Sequence, residues 1–273
     1  MSVVGQRGSR SAAGAPGAPG IVLVHGSAAH AGWWDHVAAA LADEAPLVAP
    51  DLSGHGRGPR RASYTLSGWA GEVAAAHAAL GPGPHVVVGH SMGALVALRV
   101  VEEHPDLVAA LVLVDPPFRT VDTRARALRS RIVTKTPRVY ASRKEAEARW
   151  RPAPDQPILS GLREAIAAGS VGPVEGGWGW RFDPRTFDRP DVDVEEVGQV
   201  GVPALVLRAG HGMLEPARAE RLVARLGATA RLEVVPDGHH HLMLDQPDRV
   251  VDAIRRTRAR ALAAPAAENR SGR

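Results

Sequence analysis

The chain has 273 residues, 45% of them hydrophobic, and a formal net charge of +4 at pH 7, which suits one large α/β domain or two modest ones. Because it contains no cysteine, disulfide frameworks, thiolate metal sites and cysteine nucleophiles are excluded. Its arginines are scattered and its only lysines are Lys135 and Lys144, so the positive charge does not indicate a nucleic-acid partner.

The first 20 residues are rich in Gly, Ala, Pro and Arg and predict a flexible tail, as do residues 264–273 at the other end. The N-terminal stretch lacks the apolar core of a secretory signal, and no apolar run in the chain approaches the roughly 20 residues of a membrane span. We therefore expect a cytoplasmic protein without a membrane partner.

From Ile21 onward, six short apolar runs are bounded by Gly, Pro or Asp, and they fall at 21–24, 47–49, 85–88, 111–114, 204–207 and 232–235. Continuous apolar runs of this length are typical of strands buried on both faces, as in a parallel sheet covered by helices. Ala-rich stretches between the runs predict the crossover helices that parallel strands require. These stretches cover residues 32–42, 67–80, 91–104, 216–226 and 247–263.

The alternation of strands and helices is interrupted once, between about Pro116 and Gly201, where the chain becomes rich in Arg, Pro and Trp. An insertion after one strand of a parallel sheet lies at the carboxyl edge, where such folds bind ligands. We therefore predict an α/β fold with a doubly wound, mostly parallel sheet, formed by residues 21–115 and 201–263. Residues 116–200 are predicted to form a helical cap over its binding edge.

A candidate nucleophile stands in the sequence Gly89-His90-Ser91-Met92-Gly93, which joins a predicted strand to a predicted helix. In such a turn, glycines on both sides let the serine adopt a strained conformation that lifts its hydroxyl clear of the sheet. The alternative is that Ser91 is an ordinary helix N-cap. A serine hydroxyl is a poor nucleophile near neutral pH, so catalysis would also need a histidine to take its proton.

Four landmarks in chain order resemble the α/β-hydrolase superfamily over residues 21–263, apart from the cap. They are His25-Gly26-Ser27, Asp51-Leu52-Ser53-Gly54-His55-Gly56, the turn around Ser91, and His240 before Asp245-Gln246-Pro247. The resemblance implies a Ser-His-acid hydrolase without a cofactor. It also implies that His240 is the base and that the backbone N–H groups of Ser27 and Met92 form the oxyanion hole.

The run His239-His240-His241 leaves open which ring is the base and could also suggest a metal site. Neighbouring side chains of an extended segment point in opposite directions, so we expect that at most His239 and His241 could face one ion. No clear carboxylate partner motif accompanies them. We predict His240 as the base and no metal.

The acid of the triad is missing from the position that many family members use, a Gly-x-x-Asp turn after the strand at 204–207. Some relatives, haloalkane dehalogenases among them, place the acid after the strand that follows the nucleophile helix, and here that residue is Asp115. Asp115 is therefore the leading candidate to orient His240. Glu215, or no acid at all, remains an alternative, and Asp115 could instead only cap the turn before the insertion.

The cap is the richest part of the chain in aromatic residues and, with His30 of the oxyanion loop, supplies the candidates for lining a substrate. Trp150, Trp178 and Trp180 would suit an apolar ligand, although packing of the cap on the core is the simpler interpretation. Arg181 could pair with Asp183 or meet a substrate carboxylate.

A serine in the nucleophile position disfavours the chemistries that use a carboxylate nucleophile. The predicted reaction is hydrolysis of an ester, thioester, lactone or activated C–C bond of a mostly apolar small molecule, through an acyl-enzyme on Ser91. Because the expected acid is missing, a non-hydrolytic use of the same pocket, by a cyclase, a lyase or a ligand-binding protein, is the alternative.

Overall fold

The computed structural model describes residues 6–9, 18–118, 123–134 and 136–263. A seven-stranded sheet, with strand order β1-β3-β2-β4-β5-β8-β9, forms its centre. The strands are β1 (Gln6–Ser9), β2 (Ile21–Val24), β3 (Leu47–Pro50), β4 (His85–His90), β5 (Val108–Val114), β8 (Ala204–His211) and β9 (Ala230–His239). All neighbours in the sheet are parallel except β1, which pairs antiparallel with β3.

Helices cover both faces of the sheet, and the alternation of side chains along each strand divides the core in two. Val22 and Val24 belong to a hydrophobic cluster with helices α2, α3 and α7, whereas Ile21 and Leu23 belong to a second cluster with α1 and α9. These helices are α1 (Asp35–Leu41), α2 (Leu66–His77), α3 (Met92–Glu103), α7 (Pro216–Leu226) and α9 (Pro247–Ala263). Every residue of β2, β3 and β4 is buried, which is why the sequence shows continuous apolar runs there. The predicted doubly wound, mostly parallel fold is confirmed.

The prediction of a flexible tail is wrong for residues 6–9, since they form β1 at the edge of the sheet. An antiparallel edge strand is held by backbone hydrogen bonds, so its composition need not resemble that of a buried strand. Residues 264–273, the other predicted tail, lie outside the part of the chain that the structure describes.

Within its described residues, the insertion contains three α-helices, α4 (Thr123–Thr134), α5 (Arg143–Arg149) and α6 (Leu162–Ser170). It also contains an antiparallel hairpin, β6 (Val171–Val174) and β7 (Gly177–Trp180), where the sequence analysis predicts no strand. Gly176 and Gly177 both have positive φ angles, of 79° and 152°, which glycine adopts without steric cost. The segment Glu175-Gly176-Gly177, which directly follows Val174, is the local signal for this turn.

Asp183, at the base of the cap, fastens the insertion to the core. Its carboxylate accepts hydrogen bonds from the Tyr64 hydroxyl at 2.9 Å and from the Arg185 guanidinium at 2.7 Å. Burial by itself would raise the pKa of Asp183, but the hydrogen bonds from Arg185 and Tyr64 outweigh burial and lower that pKa to about 2. No helix within the described residues is long and apolar enough to cross a membrane.

Candidate active site

The turn around Ser91 has the strained geometry that its glycines predict. Ser91 has a φ of 51° and a ψ of −120°, and α3 begins at the next residue. A side chain at Gly89 would collide with the carbonyl of Gly93, and one at Gly93 would collide with the carbonyl of Val24. Ser91 makes no side-chain hydrogen bond to its helix, so it does not act as the N-cap that the alternative interpretation requires.

His240 lies directly beside the nucleophile candidate, just after the end of β9. Its Nε2 atom is 3.0 Å from the Ser91 Oγ atom. Both side chains are at least nine-tenths buried, with exposed fractions of 2% for His240 and 9% for Ser91. At this distance the imidazole can accept the hydroxyl proton.

Asp115 occupies the other side of the imidazole ring. Its Oδ2 atom is 2.6 Å from Nδ1 of His240, and the residue is 0% exposed. Two backbone N–H groups hold the carboxylate, from Met213 at 2.7 Å and from Ala209 at 3.2 Å. A side chain at Gly212 would collide with the same carboxylate. The loop in which the family's usual aspartate is missing therefore encloses Asp115 instead.

Glu215, the alternative acid, lies just before α7, whereas the two ring nitrogens of His240 contact Asp115 and Ser91. Its side chain is 48% exposed, and its carboxylate is 3.6 Å from the guanidinium of Arg218. Of the two candidates, Asp115 is the one that the structure brings into contact with His240.

Two further histidines pack against His240 and keep its surroundings uncharged. The ring centroids of His90 and His241 lie 4.8 Å and 4.7 Å from that of His240. Burial is the main cause that lowers the pKa of His90 and of His241 well below the ordinary value, and the nearby His240 lowers both further. Neutral neighbours leave Asp115 as the group that stabilises a positive charge on His240.

The expectation that only His239 and His241 could share an ion is wrong, because the chain turns after β9. Ring nitrogens of His90, His240 and His241 lie within 4.8 Å of one another, while His239 binds the Asp245 carboxylate at 2.9 Å. Both nitrogens of His240 already contact Asp115 and Ser91. The hydrogen bonds of this cluster are those of a proton-transfer site.

The candidates for the oxyanion hole flank Ser91. Met92 is the first residue of α3, so its N–H group belongs to the helix turn that has no intrahelical acceptor and carries the positive end of the dipole. Ser27 lines the same cavity as Ser91. The loop before it approaches closely, because a side chain at Gly26 would come within 3.1 Å of the Ser91 Cβ atom.

Ser91 and His240 open onto a cavity of about 430 Å³ between core and cap. Its apolar walls include Leu95, Ile132, Phe187, Val192 and Met213. A second cavity of about 310 Å³ shares Ser27, Ala28, Ile132, Ala153 and Phe187 with the first. Its further walls include four aromatic side chains, Trp33, Trp150, Trp180 and Phe182, together with Arg149 and Arg151.

The structure separates the four residues predicted to line a substrate. Trp150 and Trp180 line the second cavity, next to the one that holds Ser91. His30 and Trp178 line neither of these cavities and instead line a third, polar cavity. His30 is turned away because its Nδ1 atom accepts the N–H of Gly32 and its Nε2 atom bonds to the carbonyl of Ile166.

Gln156, a cap residue without any signal in the sequence, braces the histidine loop. Its Oε1 atom accepts the backbone N–H of His241 at 2.8 Å, and its Nε2 atom donates to the carbonyl of the same residue at 3.3 Å. The cap thus helps to hold the residue next to His240.

Comparison with known proteins agrees with this architecture. The alpha/beta hydrolase family matches residues 21–253. Lipase LipV of Mycobacterium tuberculosis is 31% identical over 229 residues, which cover 80% of this chain and 85% of the relative. Esterase Rv0045c of the same organism is 29% identical over 244 residues, covering 86% of this chain and 81% of the relative. The solved structure of an E-2-(acetamidomethylene)succinate hydrolase, 24% identical, superimposes with a TM-score of 0.76 and covers 92% of this chain and 93% of its own.

A strained serine at the end of a central parallel strand, with a buried histidine and carboxylate beside it, has the arrangement of a serine hydrolase. The chain belongs to the alpha/beta hydrolase family. Its lipase and esterase relatives also confirm the predicted class of enzyme, an esterase-like α/β-fold serine hydrolase.

Proposed function

We propose that this protein hydrolyses carboxylic esters of mostly apolar small molecules through an acyl-enzyme on Ser91. The observation that carries the proposal is the buried chain of two hydrogen bonds from Ser91 to His240 to Asp115, at 3.0 Å and 2.6 Å. The names of the lipase and esterase relatives support ester hydrolysis. Thioesters, lactones and activated C–C bonds can react by related chemistry at the same serine.

In the proposed first step, His240 Nε2 takes the Ser91 hydroxyl proton while Oγ attacks the ester carbonyl carbon. Asp115 accepts the N–H on Nδ1, which holds the ring in the tautomer whose Nε2 is free to act as a base. It also stabilises the imidazolium that forms. Two backbone N–H groups, from Ala209 and Met213, hold the carboxylate in position beside the ring.

The tetrahedral intermediate places a negative charge on the former carbonyl oxygen. We assign the backbone N–H groups of Met92 and Ser27 to this oxygen, since both lie in the loops next to Ser91. Collapse of the intermediate breaks the bond to the alcohol, which leaves with the proton from His240. A water molecule then attacks the acyl carbon while His240 takes a proton from it. The bond to Ser91 Oγ breaks, Oγ regains the proton from His240, and the carboxylic acid is released.

The two joined cavities suit a substrate with two apolar arms. Volumes of about 430 Å³ and 310 Å³ fall at the lower end of the roughly 300–1,000 Å³ typical of small-molecule pockets. The aromatic walls of the second cavity offer stacking and edge contacts to a ring or a short chain. An ester bond at Ser91 would thus send one arm into each cavity.

The non-hydrolytic alternative rested on the missing aspartate after the strand now seen as β8. That argument no longer favours it, because Asp115 contacts His240 from the neighbouring strand β5. A binding protein, or a lyase that used His240 alone as its acid-base group, would have no need of an activated serine.

A fluorophosphonate probe tests the proposal, together with a panel of chromogenic p-nitrophenyl esters of graded acyl length. We expect stoichiometric labelling at Ser91, turnover of the esters, and loss of both in the Ser91→Ala variant. Wild-type protein that is folded by circular dichroism, yet neither labelled nor active on any ester, would contradict the proposal.

A further inference from the structure

A third cavity, of about 280 Å³, lies at the boundary of cap and core. Three arginines line it, Arg57 from the loop after β3, Arg143 at the start of α5, and Arg181 just after β7. Of the described residues, none lines both this cavity and the one that holds Ser91. The proposed hydrolysis therefore gives this cavity no role.

Two of the three guanidinium groups lack a carboxylate partner. Among the described residues, neither Arg57 nor Arg181 forms a salt bridge. Arg181 uses only its Nε atom, which donates to the carbonyl of Val171 at 2.8 Å. Arg143 does bind a carboxylate, that of Glu147 at 2.6 Å. At least two forked donors are thus available to a ligand.

Negative charge on the lining is limited to Asp51, and its oxygens already accept two backbone N–H groups, at 2.7 Å and 2.8 Å. His30 uses both ring nitrogens within the protein, because its Nδ1 atom accepts an N–H from Gly32 and its Nε2 atom contacts the carbonyl of Ile166. The lining side chains carry three positive charges and one negative charge.

The arginines are close enough to influence one another. Burial, followed by the positive charges of Arg57 and Arg143, lowers the pKa of Arg181. Like charges held together in a partly buried cavity repel one another, and a negative group between them would relieve that repulsion.

We propose that this cavity binds a dianionic phosphate group, either as inorganic phosphate or as the phosphoryl end of a small molecule. Guanidinium forks match phosphate oxygens bidentately, and Arg57 and Arg181, the two guanidinium groups without a carboxylate partner, present such forks to a dianion. Arg57 belongs to the core, whereas Arg143 and Arg181 belong to the cap, so the phosphate would contact both parts of the molecule.

Isothermal titration calorimetry at constant ionic strength tests the proposal with inorganic phosphate, phenyl phosphate and acetate. We expect saturable binding of one phosphate group per chain and at most weak binding of acetate. Tighter binding of phenyl phosphate than of inorganic phosphate supports an organic phosphate as the ligand, and equal or weaker binding supports inorganic phosphate.

The Arg181→Gln variant should bind phosphate about tenfold more weakly, the effect of losing one charge-assisted contact. Arg221→Gln is the matched control, since it removes the same charge from an exposed arginine that pairs with Glu195 outside the cavity. Arg57→Gln, on an exposed loop, provides a second variant if Arg181→Gln unfolds at a lower temperature without ligand. Wild-type protein that does not bind phosphate saturably, or unchanged affinity in both folded cavity variants, would overturn the proposal.

Discussion

The core and the cap contribute different kinds of residue to the candidate active site. The core holds Ser91, Asp115 and His240, each at or just beyond the carboxyl end of a strand. The cap supplies most of the residues that line the first two cavities, including Trp150 and Trp180. We therefore expect changes in the core to affect the rate of the chemical step and changes in the cap to affect the choice of substrate.

This difference shows how the sequence determines the location of a residue in the core and of a residue in the cap. A residue at the end of a central strand has its place fixed by the register of the sheet, which the apolar runs of the sequence already indicate. A cap residue has neighbours from distant segments, as Asp183 has in Tyr64. Its environment follows from packing rather than from local pattern.

The largest expected effect tests whether the acid belongs to β5. Asp115→Asn cannot hold His240 in the required tautomer, so we expect kcat to fall by about a thousand- to ten-thousand-fold. Steady-state kinetics on a hydrolysed p-nitrophenyl ester measures the loss. Glu215→Gln is the matched control and should keep nearly full turnover. If instead Glu215→Gln lost activity and Asp115→Asn kept it, the acid would be assigned to α7.

Gly212→Ala tests the loop that encloses the acid. The new methyl group would collide with the Asp115 carboxylate, and a displacement of about 1 Å at such a site can lower the rate about a hundredfold. Gly71→Ala, in helix α2, is the control because nothing lies within 4 Å of the added methyl group. The same kinetic assay should show a normal rate for Gly71→Ala. Normal turnover of Gly212→Ala would contradict the tight enclosure of Asp115.

In the cap, Trp180→Ala should change selectivity and leave the chemical step in place. Removing an aromatic wall of the second cavity should lower kcat/KM for a bulky ester about tenfold relative to a small ester, in the range that pocket contacts usually give. Trp178→Ala is the control, because Trp178 lines the polar cavity instead. Kinetics across a series of acyl lengths distinguishes the two variants. An equal loss on all esters in both would place neither tryptophan in substrate selection.

The last prediction concerns the pH dependence of the free energy of unfolding. The pH range in which this free energy changes differs between the core and the cap. Burial lowers the pKa of the core residues His25, His55, His90 and His241. Below about pH 6.5 the unfolded chain takes up protons on these histidines and the folded chain does not. The free energy of unfolding should therefore fall as the pH drops from 7 to 5, by at most about 1.4 kcal/mol per pH unit for each histidine.

The pKa of Asp183 in the cap is lowered to about 2 from its ordinary value of 3.8. Ionised Asp183 therefore stabilises the folded state at pH values above 3.8, and this stabilisation is lost as the pH falls toward 2. Urea unfolding at a series of pH values measures both windows. If the free energy of unfolding stayed constant between pH 7 and pH 5, the claim that the buried histidines remain neutral in the folded protein would be wrong.

The parts of the fold and site that could be predicted are those with a local signal. The glycines around Ser91 and the apolar run ending at Asp115 are both visible in the sequence. The edge strand β1 is not, because it is recognised by its backbone pairing with β3. The close packing of the His240 and His241 rings could not be predicted either, because it depends on the turn after β9. The contact of Gln156 with the same loop joins residues 85 positions apart in the sequence.

Adjacent strands tie the nucleophile and the acid together directly. The Ser91 N–H donates to the carbonyl of Val114, and the Asp115 N–H donates to the carbonyl of Leu207. The separation of Ser91 and Asp115 is thus set by the spacing of neighbouring strands, about 4.8 Å, and not by the length of the chain between β5 and β8. For protein engineering, we expect that a chimera with a cap of another length would keep this distance between Ser91 and Asp115. The exchanged cap should retain a residue equivalent to Gln156.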